Sequence, residues 1–214
     1  MGRAVETSRQ VGPDASESSA NGFSIATNPV LQTLAVMATI SIIGWGIQPT
    51  DPSSPAVFAA SVPLQENWWQ LITANYAHLN TAHFMSNALF VLIAGGIISF
   101  STSATRFHLF FIVSGVITTA IQLQAVAVSD GGPVWIVGSS GAAFALCGYV
   151  IGSFANTAIS GRASVSRTGL VTIMLIVAGL FTIRFSAEGS AFLSHFTGVG
   201  IGLLTGWSRV LRTS

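Results

Sequence analysis

The stretch GSSGAAFALCGYVIGSFANTA, residues 138–158, contains no charged side chain. A helix of about 20 predominantly apolar residues is long enough to cross the hydrocarbon core of a bilayer. Glycine and alanine recur along this stretch at helical spacing, and such small residues let the backbones of membrane helices approach closely. The stretch therefore predicts a transmembrane helix that packs tightly against another helix.

The rest of the chain has the same apolar character. Of its 214 residues, 50% are hydrophobic and 7% are charged, against roughly 25% charged residues in a soluble domain. Apolar stretches separated by Pro, Gly, Ser or Arg clusters predict six helices. These lie near residues 29–48, 82–100, 107–128, 138–158, 168–185 and 191–210. The expected fold is all-α, a polytopic six-helix membrane bundle that forms one domain over residues 28–214.

Two segments do not fit a membrane helix. Residues 1–27 are rich in Ser, Ala, Asn and Gly and predict a disordered tail. The tail lacks the apolar core and cleavage site of a signal peptide, so we expect the first helix to be retained. Pro52, Pro55 and Pro63 interrupt residues 49–81, where Trp68 and Trp69 suit the membrane–water interface. This segment predicts a long interfacial loop, partly embedded, between helices one and two.

The arginines predict the orientation of the bundle. With six spans, all of them except Arg184 fall on one side of the membrane, which the positive-inside rule assigns to the cytoplasm. We therefore expect a multi-pass protein with both termini cytoplasmic, and we expect its membrane to be that of a prokaryotic cell. The chain has a net charge of +1 and no lysine, so it offers no basic patch for nucleic acid. We therefore expect the protein to be surrounded by the lipid bilayer and not to bind nucleic acid.

Polar residues form three clusters within the predicted helices. Such side chains cost several kcal/mol in a membrane unless they are partnered, and they often mark functional sites. Under the predicted orientation, helices two, four and six run inward from the outer side, and each cluster lies near the start of its helix. The clusters are His78, His83 and Asn87; Gly138-Ser139-Ser140-Gly141; and His195 followed by Gly198, Gly202 and Gly206. Their similar depth predicts one shared site.

Helical spacing suggests how the three clusters cooperate. His83 and Asn87 are four residues apart and share a face. Ser140 lies in a first helical turn, where unpaired N–H groups favour a developing oxyanion. The glycines after His195 keep to its face, so helix six could approach the small stripe on helix four and bring His195 to Ser140. His78 precedes helix two, and spacing leaves a bracing role and a catalytic role equally open.

The acidic residues predict a dyad in place of a triad. Every Asp and Glu falls in the tail or in a predicted outer loop, so no carboxylate is placed in a helix to orient His195. The orientation of its ring must then come from packing. Phe144, one turn below Ser140 on nearly the same face, is the expected partner.

These three motifs resemble those of the rhomboid family of intramembrane proteases. The matching patterns are His78-x4-His83-x3-Asn87, Gly138-Ser139-Ser140-Gly141 followed by Ala145-Leu146-Cys147-Gly148-Tyr149, and His195-x2-Gly198-x3-Gly202. The resemblance implies a six-helix core, with an oxyanion site formed by His83, Asn87 and the Ser140 backbone N–H. Bacterial members often carry Trp-Arg where this chain has Trp69-Gln70, and a tyrosine where it has Phe144. Neither departure touches the Ser140–His195 pair.

The predicted function is that of a serine endopeptidase, without metal or cofactor, which cleaves single-span membrane proteins near their extracytoplasmic end. One alternative is a catalytically inactive rhomboid-like protein that binds membrane clients. Another is a small transporter or proton channel with a histidine relay, although such sites lie near the membrane midplane. A zinc protease would need a pattern such as His-Glu-x-x-His, which is absent; chelators would test whether the His78, His83 and His195 trio binds a metal. Helix five is the expected mobile side of the substrate entry gate.

Overall fold

The computed structural model describes residues 27–49, 54–64, 66–130, 134–159, 166–187 and 189–213. Residues 1–26 of the predicted tail lie outside the described residues. The helices are α1 (Pro29–Gly46), α2 (Gln70–Thr73), α3 (Thr81–Phe90), α4 (Gly96–Ser99), α5 (Ala104–Asp130), α6 (Ser140–Ile159), α7 (Arg167–Phe185) and α8 (Phe192–Trp207). A π-helical turn, Val91–Gly95, joins α3 and α4 into one rod. Two short strands, β1 (Ala60–Ser61) and β2 (Trp135–Ile136), pair antiparallel.

The predicted all-α polytopic membrane fold is confirmed. In the part of the chain that the structure describes, five helices are long and apolar enough to cross a membrane: α1, the Thr81–Ser99 rod, α5, α6 and α7. The predicted sixth span, α8, has 16 residues and is about 24 Å long at 1.5 Å per residue, less than the roughly 30 Å of a hydrocarbon core. Asp130, predicted in an outer loop, is instead the last residue of α5.

Asparagine caps fix the starts of two helices. The Asn28 side chain accepts hydrogen bonds from the N–H groups of Val30 and Leu31, at 2.9 and 3.2 Å. The Asn80 side chain accepts one from the N–H of His83 at 2.9 Å. A side-chain oxygen at this position satisfies N–H groups that have no partner inside the helix. The Asn80 cap thus fixes the first turn of α3, which carries His83.

Helices α6 and α8 pack backbone against backbone at the centre of the bundle. A Cβ added at Gly198 would meet the carbonyl oxygen of Gly141, and one added at Gly202 would meet that of Ala145. On the α6 side, a Cβ added at Gly148 would likewise meet the backbone of α8. The two small-residue stripes therefore face each other, as their spacing predicts. This contact sets the distance between the start of α6 and the start of α8.

The other helices surround this central pair. Helix α5 packs against both α6 and α8, α7 against α8, and the Thr81–Ser99 rod against α1 and α6. Large apolar side chains on the outer helices point away from the bundle, among them Ile42, Leu92 and Ile183. Such a surface suits contact with lipid. The peripheral α7 has the smallest buried share of the five candidate spans.

Hydrogen bonds tie the arginine-bearing end of the bundle together. The Arg106 guanidinium donates to the Arg212 carbonyl oxygen at 2.7 Å, and that of Arg209 donates to the Thr157 hydroxyl at 3.0 Å. The N–H of Thr213 also donates to the Ser101 carbonyl oxygen at 2.9 Å. The start of α5, the end of α6 and the C-terminal segment therefore meet at one end. The starts of α3, α6 and α8 lie at the opposite end.

The predicted interfacial loop has its own secondary structure. Strand β1 pairs with β2, just before α6, and the N–H of Gly138 donates to the Ala74 carbonyl oxygen at 2.8 Å. The Gln70 side chain accepts a hydrogen bond from the Ser61 hydroxyl at 3.2 Å. Trp68 and Trp69 are exposed. The loop thereby holds in place the backbone that leads into Ser140.

Candidate active site

The starts of α3, α6 and α8 open onto one cavity of about 620 Å³. Five of the residues singled out from the sequence line it: His83, Asn87, Ser140, Phe144 and His195. They come from three helices that are far apart in the chain, so only the folded bundle brings them together. A cavity with a few convergent polar groups is the usual form of a small binding or catalytic site.

Ser140 is the first residue of α6. The helix opens with the bond from the N–H of Ala143 to the Ser139 carbonyl oxygen, so the N–H groups before Ala143 have no partner inside the helix. Gly138 precedes the serine pair with a φ of 125°, a conformation that is readily available only to glycine. The turn therefore presents the Ser140 hydroxyl together with unpaired N–H groups.

His83 and Asn87 reach the backbone just before Ser140. A Cβ at Gly138 would lie 2.7 Å from His83 Nε2 and 3.5 Å from Asn87 Nδ2. The N–H of Leu79 donates to His83 Nδ1 at 3.5 Å, so in the neutral ring Nε2 carries the proton and can donate. Asn87 is 3% exposed and its buried Nδ2 has no hydrogen-bond partner. Both side chains are therefore hydrogen-bond donors available at one point.

Two contacts orient His195. Its ring stacks on Phe144 with centroids 4.2 Å apart and an interplanar angle of 15°. Its Nδ1 lies 2.7 Å from the Ser186 hydroxyl oxygen. The sequence assigned the orientation of the ring to packing on Phe144 alone, which is incomplete because of this second contact.

Ser140 and His195 have no direct hydrogen bond in the described part of the chain, although both line the same cavity. Catalytic hydrogen bonds are often long in unliganded enzymes and tighten when substrate binds. The arrangement is therefore compatible with a nucleophile and a base that meet across the cavity.

His78 is held away from the cavity wall as a brace. The Ser41 hydroxyl donates to the Tyr76 carbonyl oxygen at 3.2 Å, so His78 Nδ1, 3.0 Å from the same hydroxyl, is the donor of that pair. The other nitrogen, Nε2, then accepts from the Ser139 hydroxyl at 3.2 Å. Burial lowers the pKa of His78 to about 3, and the nearby His83 makes a smaller contribution in the same direction. The neutral ring thus links α1 to the turn before α6, which favours the bracing role over the catalytic one.

Two residues that position the site were not found from the sequence. Ser186 follows α7 in a short connection, and nothing in its local sequence indicates that it faces His195. Gln122, in the middle of α5, accepts a hydrogen bond from the N–H of Ser194 at 3.0 Å and so caps the start of α8. A strongly polar side chain within an apolar helix was a usable signal for Gln122. Among the described residues, no group of three His, Cys, Asp or Glu side chains is placed to hold a metal ion.

Comparison with known proteins shows the family of the chain. Residues 65–212 match the family model described as "Rhomboid domain", a range that includes every residue of the cavity wall named above. The chain is also similar to the rhomboid protease GlpG of Haemophilus influenzae, with 27% identity over 142 residues, which cover 65% of this chain and 68% of that protein. Because the family model matches well over half of the chain, this polytopic membrane protein belongs to the rhomboid family.

Proposed function

We propose that the protein is an intramembrane serine endopeptidase with Ser140 as nucleophile and His195 as general base. The observation that carries the proposal is the convergence of Ser140, His195, His83 and Asn87 on one cavity, with the His195 ring stacked on Phe144. The similarity to a protein named as a rhomboid protease adds support.

The chemistry starts with proton transfer across the cavity. Nε2 of His195 takes the proton of the Ser140 hydroxyl while the oxygen attacks the carbonyl carbon of the scissile peptide bond. The resulting imidazolium then protonates the leaving amine, and the carbon–nitrogen bond breaks to give an acyl-enzyme. In the second half, His195 removes a proton from water, whose oxygen attacks the ester, and Ser140 leaves with its proton restored.

The negative charge of the tetrahedral intermediate requires donors on the other side of the cavity. The N–H of Ser140, Nε2–H of His83 and Nδ2–H of Asn87 supply them. Donors that are fixed before the reaction stabilise developing charge without reorganisation. The unpaired Asn87 Nδ2 is the best evidence for this role, because a buried amide donor without a partner costs free energy in the resting protein.

The substrate proposed for this site is a single-span membrane protein. Peptide bonds within a regular helix are shielded by their own hydrogen bonds, so the substrate helix must unwind locally before it can enter. We expect cleavage near the extracytoplasmic end of the span, at small residues close to helix-breaking residues. The arginine distribution favours cytoplasmic termini and an outward-facing cavity, and the similarity to a Haemophilus influenzae protein favours a prokaryotic cell membrane. The weakly buried α7 is the proposed entry gate.

The test uses the purified protein in detergent with a generic single-span reporter. We expect the wild type to cut the reporter and to react with a fluorophosphonate probe, and Ser140→Ala and His195→Ala to lose essentially all cleavage. Ser190→Ala is the matched control, since this residue lies at the edge of the same cavity while its hydroxyl donates to the Ala187 carbonyl oxygen. Full cleavage by Ser140→Ala would end the proposal. A folded wild type that binds the reporter, but neither cuts it nor reacts with the probe, would favour the inactive client-binding alternative.

A further inference from the structure

Ser186 connects the end of α7 to the catalytic imidazole. It is the first residue after α7, and its N–H donates to the Thr182 carbonyl oxygen at 2.9 Å, so the helix end fixes its backbone. Its hydroxyl oxygen lies 2.7 Å from Nδ1 of His195. This distance is that of a well-formed hydrogen bond between an imidazole and a hydroxyl.

The hydrogen bond bears directly on which nitrogen of His195 can act as a base. A neutral imidazole carries its single proton on either Nδ1 or Nε2. When Nδ1–H donates to the Ser186 oxygen, Nε2 keeps a lone pair and can accept the Ser140 proton. The opposite tautomer would place a proton on Nε2 and remove the base. The hydroxyl can go on accepting from Nδ1–H after His195 becomes an imidazolium, when the bond is charge-assisted and stronger.

Two observations argue that Ser186 performs this task here. Within the described ranges, no carboxylate forms an ion pair or a hydrogen bond with His195, so the usual orienting group of a triad has no counterpart. The other partner of the ring, Phe144, stacks on its face and restricts the tilt of the ring, but a stacked phenyl cannot distinguish Nδ1 from Nε2. Ser186 supplies the distinction that Phe144 lacks, because its contact with Nδ1 fixes which nitrogen faces the end of α7 and leaves Nε2 for Ser140.

Resting on the proposed function, we propose that Ser186 is a positioning residue that holds His195 through Nδ1, accepts from Nδ1–H when the ring becomes an imidazolium, and makes the base depend on the position of α7. The hydroxyl stands where a triad would have its carboxylate. Because Ser186 ends α7, movement of the outer end of α7 away from α8 breaks the hydrogen bond and releases the ring. Catalysis then requires α7 to return against the bundle after a substrate has entered.

The experiment compares Ser186→Ala, Ser186→Thr and the control Ser190→Ala on the same connection. In the single-span reporter assay we expect Ser186→Ala to lower kcat by about 10-fold to 100-fold, the range of a lost charge-assisted hydrogen bond. KM and the thermal midpoint should stay unchanged. Ser186→Thr keeps a hydroxyl and should recover most of kcat. Reaction with a small fluorophosphonate should slow by a factor similar to that for kcat, because the defect lies in the base and not in substrate entry.

A second measurement is independent of turnover. In protein labelled with ¹⁵N at its histidines, the His195 signals, assigned by their loss in His195→Ala, should report a hydrogen-bonded Nδ1 in the wild type, and this hydrogen bond should be lost in Ser186→Ala. An unchanged Nδ1 signal together with wild-type kcat in Ser186→Ala would overturn the inference, and so would a Ser186→Thr variant as impaired as Ser186→Ala. Cleavage that survives Ser140→Ala would instead refute the proposed function, while the ¹⁵N signals would still report on Ser186.

Discussion

Replacing Gly202 by alanine should push α6 and α8 apart. A Cβ at Gly202 would meet the Ala145 carbonyl oxygen and would lie 2.6 Å from the Tyr149 nitrogen. Both atoms belong to the backbone of α6, so neither can turn aside. Restoring an ordinary contact of 3.4 Å at the Tyr149 nitrogen requires a separation of at least about 0.8 Å, which is 3.4 minus 2.6.

This displacement carries to the proposed catalytic pair, Ser140 and His195. His195 lies seven residues before Gly202, about 10 Å along the same helix, so a rigid shift of α8 moves the imidazole away from Ser140. A misplacement of about 1 Å can cost 10²-fold in rate, and overpacking typically costs about 1–3 kcal/mol of stability. We therefore expect Gly202→Ala to lower kcat by about 10²-fold and to reduce the thermal midpoint.

The assay is reporter cleavage in detergent alongside thermal unfolding of the same preparation. Gly200→Ala is the matched control, because it makes the same change on the same helix at a position where an added Cβ meets nothing within 4 Å. It should keep wild-type activity, and its helix should gain a little stability from alanine. If Gly202→Ala cleaved the reporter as fast as Gly200→Ala, the argument from backbone contact would be wrong.

Three further predictions concern the cavity and its brace. Asn87→Ala should lower kcat by about 10²–10³-fold through loss of one oxyanion donor, with little change in KM; an unchanged kcat would remove Asn87 from the oxyanion site. Phe144→Tyr should keep the stacked ring and the activity, whereas Phe144→Leu should lower kcat up to about tenfold, the worth of one aromatic contact; equal rates for the two variants would argue against stacking. The pKa of His78 is about 3 in the fold against 6.5 for the free group, so the unfolded chain binds a proton more readily. The stability that His78 contributes is complete above pH 6.5 and is lost as pH falls from 6.5 toward 3. Thermal midpoints measured across that range should drop less in His78→Gln than in the wild type.

Helical periodicity accounts for the part of the structure that could be predicted. Apolar length located the membrane helices within a few residues at most ends, and spacing placed His83 beside Asn87 and the glycines of α8 beside His195. Apolar length and residue spacing are properties of a single helix, so a single sequence is enough to predict them. The joint location of the clusters followed from the alternating direction of consecutive spans.

The contacts that could not be predicted depend on features that the helical periodicity of the sequence does not describe. Ser186 meets His195 only because of the way the chain turns between α7 and α8, and no short pattern marks that turn. The partners of His78 come from α1 and from the start of α6, so their direction depends on how three segments pack. The π-helical turn Val91–Gly95 likewise lies within an unbroken apolar run and has no proline to mark it.

Backbone contact between α6 and α8 has a mechanical consequence. An interface made of side chains can relax through alternative rotamers. The glycines between α6 and α8 instead bring backbone against backbone, and the backbone of a helix has no rotamers to change. The proposed nucleophile and base are therefore carried by a single stiff body, and any motion that admits a substrate must come from the elements around it. In bilayers of different thickness, we expect α6 and α8 to tilt together, so that the distance between Ser140 and His195 stays the same. The peripheral helices would then adjust to the difference between their apolar length and the thickness of the bilayer.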